Sequence, residues 1–225
     1  MSLSCSTCPV RDSAACAVLS EEERAELAHA GTARQLGRGE TLFRAGDRDA
    51  ACATLISGAL KVTSFDAEGK ERILALIHPA GFVGELFAPF PSHDVVALTD
   101  CRLCVFARTS MEAALDKHPA LSRALLRRAQ DDLHAARDLL ALGSGCSADA
   151  QVGALVLAMA RAASDSPCHP AARFDLPLTR CEMASMLGLT IETVSRSLSR
   201  LEKDGAIQRK GTRGIELLDP TRLEE

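Results

Sequence analysis

The sequence has no apolar run near the roughly 18 residues that a membrane-spanning helix needs. Its first residues lack the basic stretch followed by an apolar block that forms a secretory signal. We therefore expect a cytoplasmic protein that does not enter a membrane.

Motifs of the common enzyme classes are also missing. The sequence offers no Ser, His and Asp set for nucleophilic catalysis and no glycine loop of the phosphate-binding type. Cys5 and Cys8 form a C-x-x-C pair, but a redox pair of this kind opens a helix in a βαβ layout, which the surrounding sequence lacks. A thiol oxidoreductase is the enzyme alternative, and we do not expect an enzyme.

Structural disulfides are not expected, because the nine cysteines are odd in number and irregular in spacing. In a reducing compartment such thiols are buried apolar groups, metal ligands or redox groups. Cys5, Cys8 and Cys16 fall within twelve residues of a terminal segment and cannot all belong to a core. Four others are treated as structural or incidental: Cys52, Cys146, Cys168 and Cys181.

The first half of the chain favours β-strands. Its 225 residues, 47% of them hydrophobic, are enough for one or two domains. From Leu36 to Phe106 the residues are largely β-branched or aliphatic, and glycines recur at intervals of seven to twelve residues. These glycines are Gly39, Gly46, Gly58, Gly69 and Gly81. Such spacing is typical of an antiparallel roll and not of βαβ units.

A long helix is predicted over residues 125–143, which are strong helix formers without Pro or Gly before Gly143. Apolar residues recur in it at alternating steps of three and four. They are Leu126, Ala129, Leu133, Ala136 and Leu140. A narrow stripe with small residues at alternate positions favours a two-helix seam between two copies of the chain. Packing of the helix on its own domain is the alternative.

The last part of the chain predicts a winged helix-turn-helix. A helix from Arg180 to Leu187 should stop at Gly188, and Thr190 should cap a second helix that runs to about Lys203 and ends at Gly205. Two short strands should follow around Gly211 and Gly214. The net charge of the chain is −4, but residues 173–213 carry eight Lys or Arg and five Asp or Glu, a local charge of +3.

The second helix of this motif is expected to enter the major groove of DNA. Glu192, Ser195 and Arg196 share one face near its start. A carboxylate accepts from cytosine, a guanidinium forks onto guanine, and a serine bonds to a base or a phosphate. We assign Thr190 and Arg200 to the same DNA-binding surface. The alternative is that Glu192 serves the helix dipole and that Arg196 is a solvated charge.

These segments together resemble the CRP/FNR superfamily of bacterial transcription regulators. The resemblance rests on "GETLFRAGD", the glycine-punctuated strands, the long helix and "LGLTIETVSRSLSRLEKDG". It implies an α+β fold: a β-roll of the cyclic-nucleotide-binding type, a dimerisation helix and a winged helix-turn-helix. The "ETVSR" stretch is similar to the FNR branch, which implies an activator whose homodimer reads an inverted repeat of TTGAT-type half-sites. It also implies that the loop 66–72 contacts RNA polymerase.

The same resemblance implies a cofactor. FNR-type oxygen sensors bind a 4Fe-4S cluster through three N-terminal cysteines and one cysteine near the end of the β-roll, and the cluster favours the DNA-binding dimer when oxygen is absent. Cys5, Cys8 and Cys16 match the first three, with a spacing similar to FNR-like regulators of purple photosynthetic bacteria. For the fourth ligand the chain offers Cys101 and Cys104, which parity places on opposite faces of a strand. Spacing alone does not choose between them, and the resemblance implies Cys104.

The sequence leaves other signals open as alternatives to the cluster. Zinc held by four cysteines, an arm without any ligand and haem bound through His78 or His93 are alternatives within the same fold. A cyclic nucleotide is not expected, because the sequence has no Arg between Arg72 and Arg102 and a phosphate there would meet Asp94. A pure interaction module would leave the recognition helix unexplained.

The expected domain organisation has four parts. They are a cysteine-rich arm over 1–18, a β-roll over 19–107, a dimerisation helix over 108–143 and a winged helix-turn-helix over 144–225.

Overall fold

The computed structural model describes residues 5–48, 51–143, 146–164, 166 and 168–223. The chain forms two compact units, Met1–Ala135 and Ala136–Glu225. None of the described helices is long and apolar enough to cross a membrane.

The first unit contains two antiparallel four-stranded sheets. Its strands are β1 (Gly31–Leu36), β2 (Thr41–Phe43), β3 (Cys52–Ser57), β4 (Leu60–Phe65), β5 (Glu71–Ile77), β6 (Phe82–Val83), β7 (Asp94–Ala97) and β8 (Cys101–Phe106). One sheet has the order β1-β8-β3-β6 and the other β2-β7-β4-β5. The fully buried side chains of Leu55, Leu60 and Leu103 belong to one core cluster formed by strands of both sheets. The predicted antiparallel roll is confirmed.

Gly58 shows why glycines punctuate this roll. It turns the chain between β3 and β4 with a φ of 94°, which only glycine adopts readily. A Cβ atom at this position would lie 2.4 Å from the carbonyl oxygen of Asp100 and 2.7 Å from Sγ of Cys101. Glycine therefore lets the turn between β3 and β4 pack directly against the start of β8, where a side chain would clash.

The cysteine arm is folded onto this unit. Residues 5–14 form successive turns, and a short 3-10 helix follows at Ala15–Val18. Val10 and Ala14 are buried in a small core cluster with Ile56 and Ala80. The arm is therefore a packed part of the unit, whereas the sequence suggested a terminal tail.

A helix that the sequence analysis did not predict follows the arm. This helix, α1, spans Glu21–His29 and begins at a capping box. The Ser20 hydroxyl accepts from the amide of Glu23, and the Glu23 carboxylate accepts from the amide of Ser20. Such reciprocal bonds satisfy amide groups that a helix start leaves without partners.

The segment 108–143 is two helices, which corrects the expectation of one dimerisation helix. Helix α2 spans Arg108–Lys117 and α3 spans Pro119–Gly143. The break falls at His118, whose backbone has φ −120° and ψ 84°. The residue before a proline is driven out of the helical region by a steric clash with the proline ring, so Pro119 starts a new helix.

The second unit begins with the end of α3, and its other described elements are three α-helices, a three-stranded antiparallel sheet and a short 3-10 helix at Pro220–Leu223. The helices are α4 (Ala148–Ala162), α5 (Arg180–Leu187) and α6 (Ile191–Lys203), and the strands are β9 (Arg173–Asp175), β10 (Ile207–Lys210) and β11 (Gly214–Leu217). Helix α4 packs on α6, and the sheet order is β10-β11-β9. The predicted helix-turn-helix with a wing is confirmed, and β9 is a third strand that the sequence analysis did not predict.

The turn between α5 and α6 follows the expected chemistry. Gly188 ends α5 in the left-handed region with a φ of 67°. The hydroxyl of Thr190 then accepts from the amide of Thr193 at 3.2 Å and caps α6. Both residues are local signals that need no tertiary contact to act.

Candidate cluster site and DNA-reading surface

Four thiols line one cavity of the first unit. They belong to Cys5, Cys8, Cys16 and Cys104, which are all half-buried. The cavity has a volume of about 40 Å³, room for a few water molecules. Most of its other walls are apolar, among them Val10, Leu27, Phe82, Phe106, Met111, Leu121 and Leu125.

Different elements bring these thiols together. Cys5 and Cys8 lie on one turn of the arm, where the amide of Cys8 donates to the carbonyl of Cys5 at 3.4 Å. Cys16 lies in the 3-10 helix, and Cys104 lies on β8. The arm and the end of the roll thus meet at the cavity, which is where the resemblance placed a cluster.

Burial dominates the electrostatics of these thiols. Burial, followed by the neighbouring thiols of Cys8, Cys5 and Cys16, raises the pKa of Cys104 to about 12. Burial also raises the pKa of Cys5 and of Cys16, while the guanidinium of Arg24 acts in the opposite direction on both. A metal or cluster that binds these sulfurs must displace their protons, so its binding depends on pH.

The four thiols, as a set, differ in how well they suit a single metal ion such as zinc and a 4Fe-4S cluster. Within the described ranges, no three His, Cys, Asp or Glu side chains are arranged to hold a single metal ion. In a 4Fe-4S cluster each thiolate binds a different iron atom, so the four ligands need not converge on one point. Four soft sulfur donors in an apolar cavity therefore fit the chemistry of such a cluster.

Cys101 has a different environment from Cys104. Its side chain is 3% exposed and belongs to the core of the roll. Its Sγ donates to the carbonyl of Ala59 at 3.3 Å and lies 3.2 Å from that of Thr99. Cys101 does not line the cavity that holds Cys104.

The remaining cysteines lie outside the cavity as well. Cys52 is buried, its Sγ donates to the carbonyl of Phe106 at 3.6 Å, and burial raises the pKa of its thiol to about 12. Cys146, Cys168 and Cys181 are exposed. All nine cysteines are free thiols.

The recognition helix α6 is amphipathic. Its inner face carries Val194 and Leu198, which are buried in the second unit. On the outer face Glu192 and Arg196 are exposed and Ser195 is half-buried. These three side chains are accessible on one face of the helix, which is the arrangement that base reading requires.

Two of these residues also have local partners. Hydrogen bonds from the amide of Glu192 and from the hydroxyl of Thr190 hold the pKa of the Glu192 carboxyl below its usual range. The Arg196 guanidinium donates to the hydroxyl of Thr193 at 3.3 Å. Glu192 therefore stabilises the first turn of α6 and also lies on the helix face that is predicted to contact DNA bases.

Part of the positive charge counted from the sequence is paired within the second unit. Arg200 forms an ion pair with Asp149 of α4, and Arg209 of β10 forms one with Glu202 of α6. Arg173 and Lys210 both pair with Glu216. Two of these pairs, Arg200 with Asp149 and Arg173 with Glu216, join segments that are far apart in the chain, and they could not be predicted from the sequence. Arg200 therefore has an intramolecular partner in addition to its predicted role on DNA.

The predicted dimer seam lies on a solvent-facing side of α3. Leu126 is 71% exposed and Leu133 is 49% exposed. Ala129 is exposed and Ala136 is half-buried, while the side chain of Leu140 lies outside the described residues. Leucines on another side of α3, Leu121 and Leu125, pack into the core beside the cysteine cavity. Both large apolar residues of the described seam thus stay exposed in a single chain.

The folded units define a class of protein: a DNA-binding transcription regulator with a roll of the cyclic-nucleotide-binding type and a winged helix-turn-helix. The model of the Crp-like helix-turn-helix domain matches residues 150–225, and that of the cyclic nucleotide-binding domain matches residues 33–118. The structure of FixK2 from Bradyrhizobium japonicum is similar with a TM-score of 0.77 and 26% identity, covering 86% of this chain and 95% of that one.

Two curated relatives match almost the whole chain. The transcriptional activator protein FnrL of Cereibacter sphaeroides is 35% identical over 224 residues, which is 98% of this chain and 90% of FnrL. The nitrogen fixation regulation protein FixK of Bradyrhizobium diazoefficiens is 32% identical over 226 residues, or 98% and 92% of the two chains. The chain belongs to the Crp/FNR family. The expectation of a regulator and not an enzyme is confirmed.

Two acidic residues, Glu85 and Asp94, lie between Arg72 and Arg102, the segment in which a cyclic nucleotide would need an arginine. The Glu85 carboxylate accepts from the amide and the hydroxyl of Ser92 at 2.8 and 3.0 Å. The Asp94 carboxylate accepts from the amide of Ala45 at 2.8 Å. Both carboxylates thus have partners within the roll, and the absence of cyclic-nucleotide binding stays a prediction.

Proposed function

We propose that the chain is a cytoplasmic, oxygen-responsive transcription activator that holds a 4Fe-4S cluster on Cys5, Cys8, Cys16 and Cys104. The observation that carries this proposal is the single apolar cavity that these four thiols line. Most of the side chains that line this cavity are aliphatic or aromatic, and such a lining limits the access of water to a cluster and its ligands.

The protein residues have three tasks at this site. The four cysteines would hold the cluster as thiolates, the apolar walls would exclude water, and Arg11 and Arg24, which also line the cavity, would offset negative charge. When bound, the cluster would supply the chemistry that reacts with oxygen. The names of the relatives support the activator part, since FnrL is a transcriptional activator protein.

The cavity is in contact with the helix that carries the dimer seam. Leu121 and Leu125 of α3 line the cavity, while Leu126 and Leu133 of the same helix are exposed. An occupied cavity would therefore fix the first half of α3 in one position and favour the population in which two copies pair. Loss of the cluster would remove that bias.

A dimer would present two copies of α6 to one DNA duplex. Two-fold symmetry then calls for an inverted repeat with half-site centres about one helical turn, 34–36 Å, apart. We propose TTGAT-type half-sites read by Glu192, Ser195 and Arg196, with Thr190 and Arg200 on the same surface.

RNA polymerase is the proposed protein partner, through the loop 66–72. This loop ends the β4–β5 hairpin, and residues 66–70 are exposed. The carboxylate of Asp66 accepts from the amides of Glu68 and Lys70 at 3.0 and 2.9 Å, which gives the hairpin tip a defined shape.

Anaerobic purification with iron and sulfide assays tests this function. We expect four iron atoms and four sulfides per chain, a brown visible absorption band, and binding to a TTGAT inverted repeat that is lost after exposure to air. Protein that contains one zinc per chain and binds DNA equally in both conditions would contradict the oxygen sensor. A colourless protein without iron or sulfide would likewise contradict it.

A further inference from the structure

Arg24 of α1 is a buried arginine beside the cysteine cavity. Its side chain is 7% exposed, which is rare for a charged residue without strong partners. It also lines the cavity that holds the four thiols.

The partners of Arg24 lie mainly in the turn that carries Cys16. Its Nε donates to the carbonyl of Cys16 at 3.3 Å, and its Nη2 donates to the carbonyls of Ala17 and Leu19 at 3.3 and 3.0 Å. The Cys16 carbonyl also accepts from the amide of Leu19, so Arg24 adds a second bond there and contacts three carbonyl oxygens of the turn in all. The planar guanidinium, with its several fixed donors, can hold these three oxygens at once.

Ion pairs also connect Arg24 to the middle of the cysteine arm. The Glu21 carboxylate accepts from Nη1 of Arg24 at 3.4 Å and also pairs with Arg11. Arg11 lies between Cys8 and Cys16 and lines the same cavity. The loop between the second and third cysteines is therefore tied to α1 within the loop, at Arg11, and at its C-terminal end, at Cys16.

Within the described part of the chain, the charge of Arg24 is only partly compensated. Its carboxylate partner Glu21 is mostly exposed, with 67% of its side chain accessible, and therefore neutralises the buried guanidinium only weakly. A 4Fe-4S cluster with four thiolate ligands is an anion. An anion in the adjacent cavity would compensate the buried positive charge, as buried charges require.

We propose that Arg24 is a positioning residue of the cysteine site, which fixes the turn that presents Cys16 and compensates the charge of the occupied cavity. The second part of this inference rests on the proposed function, while the first part concerns the chain without any cofactor. The two parts can therefore be tested separately.

The first experiment uses full-length protein without metal, under reducing conditions. Hydrogen exchange is followed in peptides covering residues 13–19, where the amides of Ala17 and Leu19 donate to backbone carbonyls. In Arg24→Met these peptides should exchange about tenfold faster than in the wild type, because the hydrogen bonds from Arg24 no longer oppose local opening of the turn. In Arg24→Lys the same peptides should also exchange faster than in the wild type, because an ammonium group cannot make the three hydrogen bonds of the planar guanidinium.

Two controls separate this effect from unfolding. Peptides from β3 and β8 in the same sample should exchange as in the wild type, so general loss of protection there would overturn the local role. Arg44→Met removes an exposed arginine of the same unit and should leave residues 13–19 unchanged. Equal protection of residues 13–19 in Arg24→Met and the wild type would also overturn the inference.

The second experiment measures release of iron to a chelator from anaerobically reconstituted protein. We expect the cluster to be lost about tenfold faster from Arg24→Met, as for other residues that support metal ligands. Arg24→Lys should lie between Arg24→Met and the wild type because it retains the charge. Equal rates of iron release from Arg24→Met, Arg24→Lys and the wild type would overturn the role of Arg24 in charge compensation. If the wild type itself assembles no cluster, the proposed function fails, while the exchange result still decides the role of Arg24 in the arm.

Discussion

Cys101 and Cys104 lie on opposite faces of β8, with Cys101 in the core of the roll and Cys104 at the cysteine cavity. Their separation of three residues requires this, because successive side chains of a strand alternate between its faces. Two thiols that look equivalent in the sequence therefore have different chemical surroundings.

The first prediction is that Cys104→Ser prevents cluster assembly, while Cys101→Ser does not. A hydroxyl at position 104 is a poor iron ligand, so iron and sulfide per chain should fall severalfold and operator binding should be lost with them. At position 101 a hydroxyl can still donate to the carbonyl of Ala59, so the change should cost only about 1 kcal/mol of stability.

Both variants are purified without oxygen and assayed for iron, sulfide and operator binding. The reverse pattern would make Cys101 the ligand. Retention of the cluster in both variants would show that β8 supplies no ligand, and the sensor model would fail.

The second prediction concerns base reading by Arg196. If its guanidinium forks onto a guanine, Arg196→Ala should cost about 1–3 kcal/mol on the specific operator. The loss should disappear on half-sites in which that guanine is replaced. The present bond of Arg196 to the hydroxyl of Thr193 is exposed and easily exchanged for a base contact.

Lys203→Ala serves as the matched control, because Lys203 is an exposed cation at the far end of the same helix. It should weaken binding to all sequences alike, as a phosphate contact does. An equal loss for Arg196→Ala on parent and altered sites would mean that Arg196 contacts only phosphate.

The elements that could be predicted from the sequence are those with local signals. Gly188 and Thr190 fix the ends of two helices through their own backbone and side-chain chemistry, so the helix-turn-helix boundaries were predictable. The spacing of the glycines also predicted the antiparallel roll, because glycine at a turn is a local signal as well. Pro119 carried an equally local signal, a helix break, which the heptad pattern on its C-terminal side obscured.

The features that escaped prediction depend on contacts between distant segments. Strand β9 is only three residues long and exists because it pairs with β11. Arg24 has an ordinary position on a surface helix until the arm folds over it and buries it. The sequence supplied the four cysteine candidates, but their meeting at one cavity follows from the packing of the arm against β8.

The third prediction concerns the dimer seam. Ala136→Asp should place two like charges against each other if two copies of α3 pair. Burial of such charges should cost at least about 3 kcal/mol, or roughly a hundredfold in the dimer dissociation constant. Cluster-loaded protein should then sediment as a monomer and keep its iron.

Ala135→Asp is the control for this change. Ala135 is exposed and lies about 100° around the helix from Ala136, so the same added charge should leave the dimer intact. A dimer unchanged by Ala136→Asp would mean that this part of α3 packs on its own domain.

The fourth prediction uses the contact between the recognition helix and the wing. Arg209 donates to the Glu202 carboxylate from its side chain at 2.8 Å and from its backbone amide at 2.9 Å. The Arg209 guanidinium, followed by that amide, holds the pKa of the Glu202 carboxyl below its ordinary value of 4.5. The folded state therefore binds a proton at Glu202 less readily than the unfolded state does.

A lowered pKa in the folded state gives stability that is complete above the unfolded pKa, here 4.5, and is lost as the pH falls through the folded pKa. Glu202→Gln removes this pH-dependent part. Between about pH 6 and about pH 4, the free energy of unfolding should therefore fall less in the variant than in the wild type.

Thermal unfolding of the full chain is followed by circular dichroism, because the sequence has no Trp or Tyr to report by fluorescence. Hydrogen exchange in peptides of α6 and β10 locates the change. Asp175→Asn, which neutralises an exposed carboxylate of the same unit, should keep the wild-type dependence on pH. If Glu202→Gln also keeps that dependence, the contact with Arg209 does not couple the wing to the recognition helix energetically, and its geometry alone orients the wing.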